Sequence, residues 1–306
     1  MAYISYKNLP IWLGSGINFN GVPDGTANHK EIYAQSVQLS YSPNLAPVRI
    51  LGKTPTANNY NLAGPPNATL SFSCYLDPTI ETTSTNEFNP LAYTGNVGDI
   101  GTTFLIGDPT NGIKGSGAFL TSLSFTSTPY QPILFQCEFA VYNPLAISSD
   151  GGRIASTSAG SFDLNKAAHG AYSNFVSTTL TNNVDLYDSF TYQYSCQRLP
   201  IYEIGGFYPK SVEFITAEHS FSLEADNIPN IVPMTGKNAT VDIYVTSPAG
   251  GNNVLPPSAI YSTSLLDYTH ASNIKPQVAG KILQENIGIE GGDFGRGSIT
   301  ITQLLR

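Results

Sequence analysis

The amino-acid sequence predicts a mainly β protein that contains two tandem domains. Three observations lead to this prediction: short runs of alternating apolar and polar residues, a small share of charged residues, and several segments that occur twice in the same order. The chain has 306 residues, which suits about two domains of ~150 residues. We place a first domain at residues 1–142, a connector at 143–186, and a second, shorter domain at 187–306.

Similar segments follow one another in the same order in the two predicted domains. They are LPIW (9–12) with LPIY (199–202), YAQSVQL (33–39) with YPKSVEF (208–214), GPPNATLSF (64–72) with TGKNATVDIY (235–244), PLAYT (90–94) with LLDYT (265–269), and GAFLTSLSF and ILFQCEF (117–139) with GKILQENIGI and SITITQL (280–304). One domain is therefore expected to repeat the other. Asn67 and Asn238, which open the two Asn-Ala-Thr tripeptides, should then occupy equivalent places.

Alternation with a period of two marks half-buried strands in these segments. The apolar residues predicted to share one face are Val37, Leu39 and Tyr41; Leu70, Phe72, Cys74 and Leu76; Val241, Ile243 and Val245; and Ile299 and Ile301. The stretches TPYQP (128–132) and GGDFGRG (291–297) contain the residues that favour hairpin turns.

Each predicted domain also contains one segment with the features of a helix. STNEFNPLAY (84–93) begins with residues that cap helices, and PPSAIYSTSLLDY (256–268) has a proline near its start. In the connector, ISSDGGRIASTSAGSF (147–162) is typical of a loop, whereas DLNKAAHGAYSNF (163–175) could form a short helix.

The composition excludes some classes of partner and compartment. Charged residues make up 12% of the chain and the net charge is −8. This composition argues against binding of nucleic-acid phosphates by clustered Lys and Arg residues. The N-terminal stretch lacks the apolar core of a signal peptide, and no segment is long enough to span a membrane. We therefore expect synthesis in the cytoplasm, where neither Asn-Ala-Thr tripeptide would carry a glycan.

Several short motifs resemble parts of nucleotide-binding or catalytic sites but lack the other residues that such sites require. LGKTP (51–55) ends like a phosphate-binding loop, but Pro47 stands at the position of the first glycine of that motif and Pro55 disfavours the helix that should follow. The triplet Asp293-Phe294-Gly295 lacks the other kinase motifs, and the pair Asp99 and Asp108 lies in a glycine-rich stretch typical of a solvated loop.

The histidines and cysteines show no metal-binding or catalytic spacing. The four isolated histidines, expected in loops or at the surface, are His29, His169, His219 and His270. Cys74, Cys137 and Cys196 are odd in number and lie in strand-like runs, so we expect reduced thiols that pack as small apolar side chains. The sequence thus predicts no catalytic residue, no cofactor site and no metal site.

The order AQSVQLSYSPNLAPVRILGK (34–53), GPPNATLSFSCYL (64–76) and GAFLTSLSFTSTPYQPILFQCEFAVY (117–142) resembles that of tailed-bacteriophage tail-tube proteins. In that family an early strand pair is followed by a helix and a late strand pair. The resemblance covers residues 1–142 best and 195–306 more weakly. It implies two tube-like domains, each a β-sandwich or half-barrel flanked by about one helix, and no enzyme activity.

The resemblance further implies a structural protein of the virion tail that is made in the host cytoplasm. Such a protein forms stacked rings around a channel through which DNA passes without specific binding. A duplicated chain would form a trimer with pseudo-sixfold symmetry and would contact other tail or baseplate proteins, but no membrane. Two alternatives are a baseplate hub protein that initiates the tube and a carbohydrate- or receptor-binding virion protein; an enzyme such as a glycosidase is a third class.

Overall fold

The computed structural model describes residues 11–14, 29–42, 44–47, 60–62, 67–76, 90, 94, 101–107, 112–143, 145–148, 167–177, 179–180, 188–206, 208–225, 235–247, 276–288 and 296–305. Most of these residues lie in β-strands, so the predicted mainly β class is confirmed. Both segments that we expected to be flanking helices lie outside the described residues, apart from Pro90.

The described residues form sixteen strands. Their bounds are β1 Ile11–Gly14, β2 His29–Ile32, β3 Ala34–Ser42, β4 Leu45–Pro47, β5 Tyr60–Leu62, β6 Asn67–Cys74, β7 Thr102–Ile106, β8 Gly112–Ser127, β9 Phe135–Val141, β10 Ala146–Ser148, β11 Asn174–Val176, β12 Ser189–Tyr202, β13 Pro209–Ala225, β14 Asn238–Tyr244, β15 Gln277–Gly288 and β16 Arg296–Leu305. Every described strand pairing is antiparallel. Among these residues, only β4 and β5 pair outside the main sheet.

Ten strands follow one another across the main sheet in the order β3-β6-β9-β8-β12-β13-β16-β15-β14-β11. Strand β8 joins this array to a second branch, because its N-terminal part pairs with β7 and β10 while β7 continues to β1 and β2. Gly117 lies where the neighbours of β8 change and has a positive φ of 63°. A Cβ atom there would come 2.9 Å from the Asn143 side chain, so the bend suits glycine alone.

The two halves of the chain meet by direct strand pairing. Strand β8 of the first half pairs with β12 of the second over six residues, from Ser122↔Ser195 to Ser127↔Phe190. Apart from β4 and β5, the described strands therefore form one continuous sheet, and two tandem domains are not confirmed.

The strand order in the halves also differs from that expected of a repeat. Asn67 and Asn238 each open a strand beside a late hairpin, formed by β8 and β9 or by β15 and β16. However, β6 pairs with the second strand of its hairpin, whereas β14 pairs with the first. The expected equivalence of these two asparagines is therefore not confirmed. The similar segments share a period-two pattern. This pattern determines which side chains lie on the same face of a strand, but it does not determine which strands pair with that strand.

The apolar face of the sheet forms one core that extends through both halves. The predicted faces are confirmed for β6, β14 and β16, whose buried residues include Leu70, Phe72, Val241, Ile243 and Ile301. Each strand places alternate residues on this face, as the pleat requires.

All three cysteines lie on buried positions of this face and are free thiols, as predicted. Cys74 and Cys137 are on the neighbouring strands β6 and β9, where Cys74 pairs with Phe135 and Cys137 pairs with Phe72, so the two thiols are offset by two residues. Burial raises the pKa of the Cys137 thiol well above its ordinary value, because the thiolate would lose its hydration. These thiols therefore pack as small apolar groups.

Strand β3 departs from the predicted half-buried pattern. Val37, Leu39 and Tyr41 do share a face, opposite Phe72, Leu70 and Ala68 of β6. Yet Val37 is 37% and Tyr41 48% exposed. Alternation predicted the shared face correctly, but burial depends on what covers a strand, and β3 is the last of the described strands on its side of the sheet.

The described residues of the connector contribute to the sheet and the core, although residues 163–175 were expected to form a short helix. Most of the predicted loop, residues 147–162, lies outside the described residues. Residues 170–172 form a single 3-10 turn, and β11 follows at once and pairs with β14. Phe175 of β11 is buried against Phe221, with ring centroids 5.1 Å apart. An aromatic side chain that can join an apolar face gains more from burial than a short helix gains from its own hydrogen bonds.

One predicted turn is observed directly. Residues 128–132 lie in the connection between β8 and β9, and Tyr130 has a φ of 63° in this turn. Residues 291–295 of the second predicted turn lie outside the described residues, but they connect β15 and β16, which pair up to Gly288↔Arg296.

Candidate functional surface

The face of the sheet opposite the core carries rows of polar, mostly uncharged side chains. One row crosses nine adjacent strands in register and consists of Ser36, Ser73, Gln136, Ser124, Gln193, Ser220, Thr302, Lys281 and Asn238. We call this side of the sheet the polar face. It continues across the β8–β12 joint without interruption, so both halves of the chain contribute to a single surface.

Hydroxyl groups on the polar face bond to one another between strands. The hydroxyl oxygens of Thr126 and Thr191 are 2.9 Å apart across the β8–β12 joint, and those of Ser222 and Thr300 are 3.0 Å apart. Ser36 on the edge strand β3 makes the same kind of contact with Ser73, at 2.6 Å. Such cross-strand pairs stabilise a sheet and leave its surface with hydroxyl groups and few charges.

Charges on the polar face are few and mainly negative. The row that adjoins the first contains Glu138 of β9 and Glu218 of β13. Glu224 lies further along β13, where it accepts a hydrogen bond from the Ser189 hydroxyl at 3.2 Å. Lys281 is the one positively charged side chain in the nine-strand row. A surface of this kind offers no cluster of cations to a polyanion.

His219 was expected in a loop or at the surface, but it lies in β13 and points to the core face. Its Nδ1 atom is 2.8 Å from the Tyr192 hydroxyl, and its ring centroid is 5.0 Å from that of Tyr194. Burial lowers the pKa of His219 and raises that of Tyr192, because both charged forms lose hydration. With both groups neutral, the tautomer of the imidazole decides which of the two atoms donates this hydrogen bond. The strand register, rather than any motif, decides this contact.

We expect His219 to make the protein less stable in mild acid. The pKa of His219 is lowered in the folded state, so the unfolded chain binds the proton more readily. Its contribution to stability is therefore complete above about pH 6.5, the ordinary value, and falls as the pH drops below it. Urea unfolding at pH 7.5 and 5.5 should show a smaller loss for His219→Gln than for the wild type. Equal losses in the two proteins would contradict this assignment.

The other predicted motifs form no site in the described part of the chain. His169 has a lowered pKa through burial, and its Nδ1 accepts a hydrogen bond from the backbone N–H of Ala171 at 3.2 Å. His29 belongs to strand β2 rather than to a loop. The remaining candidates, LGKTP, the Asp293 triplet, Asp99, Asp108 and His270, lie outside the described residues.

Within the described ranges, no group of three or more His, Cys, Asp or Glu residues is placed to hold a metal ion. The same residues contain no helix that is long and apolar enough to cross a membrane. The surface that the sequence analysis did not identify is the polar face. Its signal was present in the Ser, Thr and Gln residues that alternate with the core positions, for example in SLSFTS (122–127) and TYQYS (191–195). Neither a scan of protein-family models nor a search of curated proteins found a match for this chain.

Proposed function

We propose that this protein is a non-enzymatic structural subunit of a phage tail. In this proposal, copies of the chain close into rings, the rings stack, and DNA passes through the channel without specific binding. The protein would be made in the host cytoplasm and would act in the virion tail, next to other tail or baseplate proteins. The resemblance of residues 1–142 to tail-tube proteins suggested this role, and the described sheet supplies the physical support for it.

The polar face is the observation that carries the proposal. A wall along which DNA moves should be smooth, hydrated and poor in cations, because each Lys or Arg that binds a phosphate slows the movement. The nine-strand row contains a single amine, Lys281, the adjoining row contains Glu138 and Glu218, and Glu224 lies further along β13. We therefore assign the polar face to the channel and the apolar face to the core behind it.

Strand pairing between chains would close the ring. Within the chain, the β8–β12 pairing already joins the two halves edge to edge. Strand β3 ends the sheet with exposed Val37 and Tyr41, and an exposed edge strand with apolar side chains readily pairs with another chain. Three chains with two halves each would give a ring with threefold symmetry and a pseudo-sixfold channel.

Native mass spectrometry combined with negative-stain microscopy tests this proposal. We expect rings of three chains at low concentration and stacked rings or tubes as the concentration rises. Rings that never stack would instead favour the baseplate hub protein. A chain that stays monomeric up to high concentration would contradict both structural roles, and six chains per ring would contradict the pseudo-sixfold trimer.

A further inference from the structure

A small depression lies on the polar face at the joint between the two halves of the chain. Its volume is about 240 Å³, and strands β8, β12 and β13 supply its polar side chains, which are Ser122, Ser124, Gln193, Ser195, Glu218 and Ser220. Most of these residues are serines, whose side chains are among the shortest polar ones. The depression therefore forms where short side chains meet on neighbouring strands.

Two carboxylates lie in the row of side chains that crosses this depression. The row consists, in register, of Gln38, Ser71, Glu138, Ser122, Ser195, Glu218 and Leu304. We call it the glutamate row. Glu138 and Glu218 are three strand spacings apart, or about 14 Å, and only Ser122 and Ser195 lie between them in the row. Both glutamates are exposed, and within the described ranges neither forms an ion pair.

The side chains of the depression favour one class of ligand. The Glu218 carboxylate is the one charged group that lines it, so a cation is favoured over an anion. A bare metal ion is disfavoured, because the described residues contain no group of three or more His, Cys, Asp or Glu placed to hold one. A sugar would find no aromatic ring there, since the Tyr194 side chain is buried on the core side. An ammonium group, by contrast, donates hydrogen bonds to both carboxylate and hydroxyl oxygens.

We propose that the glutamate row binds a linear polyamine, with one terminal ammonium group at Glu138 and the other at Glu218. The methylene chain of the ligand crosses the joint over Ser122 and Ser195, whose short side chains leave room for it. Each exposed ion pair alone is weak. Two ion pairs made by one ligand reinforce each other only when the ligand is long enough to reach both carboxylates. The length of the polyamine therefore decides its affinity.

This site belongs to the folded chain and does not depend on the formation of rings. In the proposed tube it faces the channel, where a bound polyamine reduces the repulsion between the carboxylates of the wall and the DNA phosphates. Such a ligand exchanges with the solvent, whereas a Lys or Arg side chain stays fixed in the wall.

Carbodiimide coupling tests the proposed bridge directly, because it joins carboxylates to bound primary amines as amides. Dilute protein is treated with diaminooctane or with putrescine, a shorter diamine of the same charge, and linked peptides of the monomeric chain are identified by mass spectrometry. We expect diaminooctane to link Glu138 to Glu218 about tenfold more often than putrescine does. Equal yields with the two diamines, or no link between these glutamates, would overturn the proposal.

Equilibrium dialysis with labelled spermidine measures the contribution of each side chain. Glu218→Gln should weaken binding about threefold or more, whereas Glu224→Gln, which removes the same charge further along β13, should change it less than about twofold. Ser195→Leu fills the depression and should also weaken binding, whereas Ser71→Leu, in the same row beyond Glu138, should not. Equal affinities of the two glutamine variants would indicate diffuse counterion binding and reject the site. A wild type that binds spermidine in this way but forms no rings would reject the proposed tube and retain the site.

Discussion

Replacing Phe221 with alanine should lower the free energy of unfolding by about 3–5 kcal/mol, the usual cost of removing a buried aromatic ring. Phe221 of β13 is fully buried, and its ring centroid lies 5.1 Å from that of Phe175 and 5.9 Å from that of Phe190. It thus joins β11, β12 and β13 within the core. Strands β12 and β16 pair with β13 on both sides, so the cavity would collapse only partly.

Urea unfolding followed by circular dichroism measures this effect. Ser222→Ala is the matched control, because the next residue of the same strand faces the opposite side and loses one hydroxyl contact to Thr300. We expect that control to cost about 1 kcal/mol or less. If the alanine variant of Phe221 does not fold, Phe221→Leu should give an intermediate loss. A Phe221 variant as stable as the Ser222 variant would show that this aromatic cluster does not stabilise the packing of β11, β12 and β13.

Replacing Gly280 with alanine should be the second strongly destabilising change, with a loss of about 3 kcal/mol or more, at the upper end of the range for overpacking. A Cβ atom at Gly280 would lie 2.0 Å from the carbonyl oxygen of Thr302 and 2.4 Å from its carbonyl carbon. Both are backbone atoms of the neighbouring strand β16 and cannot rotate away. Strand β15 would therefore have to move away from β16.

Ala279→Ser is the control for this change, since it adds one heavy atom at the adjacent residue, which is exposed. We expect the serine variant to stay within about 0.5 kcal/mol of the wild type. Hydrogen exchange should show faster exchange of the β15 amides in the Gly280 variant alone. Wild-type stability and exchange in that variant would contradict the close approach of the two strands.

The sequence by itself determined the mainly β fold class and which side chains share a face of each strand. Leu70, Phe72 and Cys74 are buried together, as are Val241 and Ile243, where alternation predicted them. The turn at residues 128–132 was also predicted. These features depend on the pleat and on local turn geometry, which residues close in the chain decide. The burial of the three cysteines followed from the same pattern.

The tertiary structure alone decided which strands are neighbours. Backbone hydrogen bonds are the same for every strand, so a similar pattern placed β6 and β14 beside different partners. Local sequence patterns also could not predict contacts between residues that are far apart in the chain. These contacts include the β8–β12 pairing, the polar face that crosses it and the hydrogen bond of His219 with Tyr192. The exposure of Val37 on β3 and the burial of Phe175 on β11 follow from what covers each strand. Which residues cover a strand depends on the assembled sheet and cannot be inferred from a short segment of sequence.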